Sequence, residues 1–485
     1  MAGSGDSVAL TQRNRYGLWV LKKSTERIDM EIFQTSFPNG LLLICMALAF
    51  GFYMAWSIGA NDVANAMGTS VGSKALTIAQ AVIIAAIFEM AGAVLVGARV
   101  TDTVRKGVFD PSQFDPQLLV LGFISALLAA AAWLQVATFK GWPVSTTHSI
   151  VGAIIGIGIA VGGSVDVVDW SEITKIVSSW VTSPVVGGMI SFVLYKFIHK
   201  FMIETPDPVA STVRLAPLLV FYVGFILSLV TVWKGLKNIK LNLDTPMAVT
   251  VSVVVGILCA VISIVYLKAW KKKEGISSNP DAPDQQGEVG KDYLITRDVQ
   301  RVFSGLLIIS AAFLAFAHGA NDVANAVGPL AGVLDIVRNF STQDLIDRKV
   351  VNMEASLPFI VLIIGGVGIV IGLATWGYKV IETIGTKITE LTPSRGVAAN
   401  LGAATTIVLA SKVIAMPIST THTLIGAVIG VGLARGSKSL NLGVLRNIAL
   451  SWVVTIPAGG LLAVLFFYLL KLFLYTDPSN LTPVE

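Results

Sequence analysis

Charge is what this sequence has least of. Of its 485 residues only 13% are Asp, Glu, Lys or Arg, against roughly 25% in an average soluble domain. So few charges cannot coat a water-exposed surface, which excludes an ordinary soluble globule. Cysteine is almost missing: Cys45 and Cys259 both sit inside apolar segments. They offer no disulfide framework and no metal cluster, and read as small hydrophobes. The histidines His148, His199, His318 and His422 are too scattered for a metal-site pattern. A signal peptide is lacking too. Residues 1–40 form a polar N-terminal tail containing Asp6, Glu26, Asp29 and Glu31, without a positive n-region, a short apolar core or a cleavage site. The net charge of +5 is spread over many loops; it suits anionic headgroups and excludes nucleic acid as a partner.

What is present is apolar. Hydrophobic residues make up 54% of the chain, in runs such as 41–58, 118–139, 215–233 and 246–267. About 20 such residues cross the hydrocarbon core as a helix, so the sequence predicts an all-α polytopic membrane protein in a lipid bilayer. About 12 transmembrane segments are expected, near 41–58, 75–98, 117–139, 148–163, 173–198, 215–233, 247–268, 302–317, 357–376, 397–415, 422–434 and 450–474. Two of them, 148–163 and 422–434, are too short to cross with ease. Behind the tail come a first transmembrane repeat (41–203), two connecting transmembrane helices (204–270), a polar loop (271–300), a second repeat (301–475) and a C-terminal tail (476–485).

The word "repeat" rests on three echoes. "GANDVANA" runs from Gly59 to Ala66 and again from Gly319 to Ala326; "PVSTTHSIVGAIIG" from Pro143 answers to "PISTTHTLIGAVIG" from Pro417; "SWVTSPVVGG" from Ser179 answers to "SWVVTIPAGG" from Ser451. The order is the same in both halves, so the chain contains an internal duplication. Seven spans separate the two starts. An odd number makes the halves inverted repeats related by an axis in the membrane plane, with broken helices at the midplane, as in secondary transporters. Lys and Arg divide almost evenly between the two sides, so the positive-inside rule does not decide the orientation; counted alone, the loop with Lys268 and Lys271–Lys273 would lie in the cytoplasm and both termini outside.

Each "P-V/I-S-T-T-H" stretch has the residues of a helix start: Pro in the first turn, Ser and Thr as caps. A following small-xxx-small pair, Gly152/Gly156 or Gly426/Gly430, permits close helix packing. Free N–H groups and the positive end of a helix, joined by the hydroxyls of Ser145, Thr146 and Thr147 or Ser419, Thr420 and Thr421, form a neutral cradle for an oxyanion. Two cradles from opposite sides would surround a tetrahedral anion. In each octet Asn61, Asp62 and Asn65, or Asn321, Asp322 and Asn325, share a helical side. They supply hard oxygens for an alkali cation or for hydrogen bonds. An Asp at the bilayer centre costs about 2.5–3.5 kcal/mol and so marks function. Glu89 interrupts another apolar run and suits either ion coupling or a structural pair. Lys412 suits either the anion or snorkelling. His148 and His422 read as donors of one structural hydrogen bond each, and His318 has no equivalent at Ile58. "GGVGIVIGL" from Gly365 reads as helix packing and not as a nucleotide loop.

The duplicated octet together with the duplicated "P-V/I-S-T-T-H" resembles the inorganic phosphate transporter (PiT) family, from about residue 41 to 475. The resemblance implies a symporter that moves phosphate with sodium, or in some members with protons, and no enzymatic activity or cofactor. It puts phosphate on Ser145, Thr146, Thr147, Ser419, Thr420 and Thr421 beside Asp62 and Asp322. It puts the co-transported cation, sodium being the only metal, on Asn61, Asp62, Asn65, Asn321, Asp322, Asn325 and Glu89. A multi-pass protein of the plasma (cell) membrane is expected, and a homo-oligomer is compatible with it. The alternatives are a sulfate permease of the same family, a passive anion channel, or a membrane-embedded hydrolase using Ser145, His148 and Asp62. Duplication argues against the last, since an enzyme has little use for an inverted copy of its centre.

Overall fold

A computed structural model describes residues 35–97, 110–232, 243–274, 297–351, 359–383, 391–413, 418–436 and 440–480. The expected polar loop falls almost wholly on 275–296, outside the described residues, as does most of the N-terminal tail. The rest is helical. The first half consists of α1 (Gly40–Asn61), α2 (Val63–Gly72), α3 (Ile78–Val96), α4 (Pro116–Phe139), α5 (Thr146–Gly162) and α6 (Trp170–Ile198). Two helices follow, α7 (Pro208–Val230) and α8 (Thr245–Glu274). The second half holds α9 (Arg297–Asn339), α10 (Thr342–Ile346), α11 (Phe359–Trp376), α12 (Tyr378–Glu382), α13 (Pro393–Val413), α14 (Thr420–Arg435) and α15 (Leu442–Leu474).

Nine helices among the described residues are long and apolar enough to cross a membrane, and the chain is a multi-pass integral membrane protein. Each expected span falls on a helix, but two were drawn too short. Residues 40–72 form one 33-residue rod with a turn at Asp62, and α9 runs 43 residues without interruption. The second octet therefore lies inside one helix, and the first straddles the turn at Asp62 where α2 follows directly on α1. Apolar windows end where Asn and Asp begin, whereas the i→i−4 backbone ladder is indifferent to side-chain polarity once those side chains find partners. The helices α5 and α14, of 17 and 16 residues, measure about 25 Å, less than the ~30 Å hydrocarbon core.

Packing repeats between halves. The helix α1 lies on α11 and α3 lies on α9; α5 lies on α15 and α14 lies on α6; α4 touches α1 and α15 as α13 touches α9 and α6. The helices α1 and α9 also touch each other, as do α3 and α11. Four of these contacts are backbone to backbone. A Cβ built on Gly59 would overlap the carbonyl oxygen of Ile369, and one on Gly319, the same place in the second octet, would overlap that of Glu89. Likewise Gly152 faces Ile456 and Gly426 faces Pro184 through carbonyl oxygens. Inside a bilayer no hydrophobic force drives helices together, so close approach at small residues supplies the van der Waals contact. Meanwhile α7 packs on α9 and pairs with α8, and α8 shows the bilayer its exposed Val254, Ile257, Leu258 and Ile262.

Gly59→Val and Gly319→Val are expected to abolish a monodisperse peak in size-exclusion chromatography. Gly305→Ala, at a position where an added Cβ meets nothing within 4 Å, should leave the peak intact and hold or raise the melting temperature.

Candidate functional site

The two octets meet in the interior. Asp62, between α1 and α2, and Asp322, in the middle of α9, are both buried, at 1% and 0% exposure. The cradles arrive on α5 and α14. Ser145 and Ser419 are their N-caps, accepting from the N–H groups of His148 at 3.3 Å and His422 at 3.1 Å. Capping pins the first turn of each helix, so the next two hydroxyls are aimed by backbone geometry.

Three of those four hydroxyls point at carboxylates. Thr146 Oγ1 donates to Asp62 Oδ2 at 2.8 Å, and the Thr146 N–H donates to the same oxygen at 3.3 Å. From the other half, Thr421 Oγ1 donates to Asp62 Oδ1 at 2.9 Å. Thr420 Oγ1 donates to Asp322 Oδ2 at 2.8 Å. The Asn325 amide donates to Thr146 Oγ1 and Thr147 Oγ1, each at 3.1 Å. The Asn321 amide donates to Asp322 Oδ1 at 2.6 Å and to the Ile418 carbonyl at 3.2 Å. The fold thus brings Thr146, Thr147, Thr420, Thr421, Asp62, Asp322, Asn321 and Asn325 into one network.

The first-half asparagine is used differently. The Asn61 amide donates to Thr138 Oγ1 and to the Trp142 carbonyl, both at 3.0 Å, while its Oδ1 accepts from the Val144 N–H at 3.2 Å. It tethers the stretch of chain that leads into α5. The side chains of Asn65 and Lys412 lie outside the described residues.

Sequence reasoning missed His318. Its Nδ1 is 2.9 Å from Glu89 Oε2 and its Nε2 is 2.6 Å from Asp322 Oδ2. Glu89, whose partner the sequence left open, therefore joins the site through an imidazole. The Asp62 and Asp322 carboxylates and a His318 nitrogen lie within 4.8 Å of one another. The only signal for this was the i, i+4 spacing of His318 and Asp322, which the absence of a histidine at position 58 obscured. Also unforeseen is a column of rings behind the cradles. Centroids of Trp180 and His148 are 3.7 Å apart, those of His148 and His422 4.2 Å, and those of His422 and Trp452 3.5 Å. That column gives the "SWV" echo its purpose, since each half contributes one indole and one imidazole.

Chemically, the site offers hydroxyl donors for an anion and hard oxygens for a cation. The carbonyl oxygens of Asn321 and Asn325 are buried with no hydrogen-bond partner among the described residues. Together with two carboxylates they suit an alkali cation, which takes oxygen ligands without a strict geometry. No thiolate belongs to the set, and its single imidazole is already held between carboxylates.

Because His318 stands between two buried carboxylates, His318→Leu is expected to destabilise the protein by about 3–5 kcal/mol, the cost of breaking a buried pair. Adding Glu89→Leu should return part of that loss, as read from thermal unfolding in detergent. Additive effects of the two changes would show that the contact carries no coupling.

Comparison with known proteins agrees with the geometry. The model of the phosphate transporter family matches residues 58–463. A putative phosphate permease of Chlamydia pneumoniae is 45% identical over 442 residues, covering 89% of this chain and 99% of its own. The inorganic phosphate transporter 2-1, chloroplastic, of Arabidopsis thaliana is 44% identical over 461 residues, covering 91% of this chain and 75% of its own. Among solved structures, one titled "The sodium-dependent phosphate transporter" superposes with a TM-score of 0.76 at 38% identity, covering 89% of this chain and 100% of that one. With its duplicated octets and cradles joined at one buried site, the chain belongs to the phosphate transporter family and is a transport protein, not an enzyme.

Proposed function

We propose that the protein carries inorganic phosphate across the cell membrane by symport with a cation, sodium in preference to the proton. The observation that carries this reading is the double hold on Asp62, by Thr146 of the first half and Thr421 of the second. Three of the hydroxyls suited to phosphate, those of Thr146, Thr420 and Thr421, are engaged by carboxylates. Phosphate needs those donors, so something must relieve the carboxylates first.

A cation does so. Held by Asp62, Asp322 and the carbonyl oxygens of Asn321 and Asn325, it replaces the hydroxyls as the carboxylates' partner and leaves them free for the anion. Each ligand then favours the other, and a coupling of about 1–3 kcal/mol is typical of such linkage. The solved structure named for its sodium dependence supports sodium as that cation. Selectivity has a physical source too. Phosphate near neutral pH keeps one or two protons that it can donate to a carboxylate, whereas sulfate has none and is repelled. The exchange of packing partners between halves supports inverted repeats, each supplying one wall of the site.

Asp62→Asn and Asp322→Asn are each expected to lower uptake of radiolabelled phosphate into proteoliposomes by about 10- to 100-fold, the worth of a charge-assisted hydrogen bond. Unchanged uptake in both, at equal reconstitution, would remove the aspartates from the site. Under an imposed sodium gradient the unsubstituted protein should accumulate phosphate saturably. Accumulation under a proton gradient alone would make Asp62, Asp322 and Glu89 proton carriers instead, and accumulation of sulfate in place of phosphate would overturn the substrate.

A further inference from the structure

Between α7, α8 and α9 lies a cavity of about 140 Å³ that the transport site does not use. It follows from how the three helices pack. The helix α7 lies against both α8 and α9, while over their described residues α8 and α9 barely meet. Buried Ala216, Leu267, Val302 and Leu306 form the floor, and Ile309 and Tyr266, 43% and 67% exposed, stand at the rim. At Gly305, also in the lining, an added Cβ would meet nothing within 4 Å. Gly59 and Gly319 are required by the backbone opposite them; Gly305 faces open space, and its missing side chain deepens the cavity.

Any bilayer protein has gaps that acyl chains fill, and an apolar lining alone would say no more than that. This cavity has a polar end. Arg301, Trp270 and Tyr266 lie toward the ends of α8 and α9 that the central loop joins, and Ser263 and Ile309 lie about 10–12 Å deeper along those helices. The same ends are basic. Residues 268–274 hold four lysines against one glutamate, and residues 297–301 two arginines against one aspartate. Indole and phenol rings settle at the level of lipid headgroups, juxtamembrane cations attract anionic lipid, and a guanidinium matches the geometry of a phosphate. Arg301 is already paired, its Nη1 3.9 Å from Asp298 Oδ1, with its side chain 43% exposed. An ion pair so long and so exposed adds little to stability, and a phosphate diester competes for the same guanidinium.

We propose that this cleft binds one anionic glycerophospholipid, with its phosphate diester at Arg301, its glycerol region against Trp270 and Tyr266, and one acyl chain running past Gly305 to Ile309. An apolar cavity of about 150 Å³ takes a molecule the size of benzene, so this one takes part of a chain and leaves the rest in the bilayer. The bound lipid ties α8 to α9, the helix that carries His318, Asn321, Asp322 and Asn325, and steadies that helix from the bilayer side.

Native mass spectrometry tests this on the full chain in detergent, mixed with equal amounts of dioleoylphosphatidylglycerol and dioleoylphosphatidylcholine. The two lipids differ in headgroup charge and not in their chains. The first adduct should favour phosphatidylglycerol about tenfold, or ~1.4 kcal/mol. Gly305→Phe, which fills the cavity, and Arg301→Gln, which removes the charge, should each bring the ratio close to one. Gly305→Leu takes the place of the phenylalanine variant where that fails to fold. Equal adducts of both lipids in the unsubstituted protein overturn the proposal, as does an excess that survives either change. Loss of the excess on adding inorganic phosphate would give the Arg301 end to a free anion, and dimers that Gly305→Phe dissociates would give the cleft to a second copy; either result also overturns it. Uptake is read at no step, so the outcome is independent of the transport reading.

Discussion

One carboxylate holds the two halves of this protein to a common centre. Asp62 takes a hydroxyl from Thr146 on its own side of the duplication and another from Thr421 on the far side. A buried carboxylate demands several donors, and here the demand is met only when α5 and α14 converge with their N-termini together. Much else follows. Ser145 and Ser419 must cap those helices to aim the next hydroxyls, Asn61 must anchor the chain entering α5, and His318 must stand between Asp322 and Glu89 so that three acids can share one interior. On the symport reading proposed above, the same constraint would bring the anion and the cation within reach of one another, as their coupling requires.

The packing that allows this is built from glycine. Backbone touches backbone at Gly59 and Ile369, at Gly319 and Glu89, and at the small residues of α5 and α14. Such contacts bring α3 and α9 close enough for Glu89 to meet His318. They also let α5 and α14, too short to span the bilayer, be carried by α15 and α6. Behind the cradles, stacked indoles and imidazoles from both halves fill the space between those two helices. Dense, small-residue packing of this kind favours a few discrete arrangements over continuous deformation, as expected of a machine that alternates between states.

Repetition made much of this legible in the sequence. A pair of Asn and Asp clusters in apolar surroundings, each matched by a Ser-Thr-Thr run behind proline, singled out the candidate site residues because the pattern occurs twice. The span limits were less legible: apolarity falls at Asn61 and Asn321, yet α9 continues unbroken and α2 follows α1 after the single residue Asp62. His318 was obscure because its counterpart is Ile58 and its partner Glu89 is 229 positions away.

The account turns on cation and phosphate favouring one another at a shared centre, and equilibrium binding tests that without any transport step. Radiolabelled phosphate would be bound to purified protein across a range of sodium concentrations. The account predicts that the Kd for phosphate falls as sodium rises and that the affinity for sodium rises reciprocally with phosphate. A phosphate Kd indifferent to sodium, and to protons in its place, would contradict it.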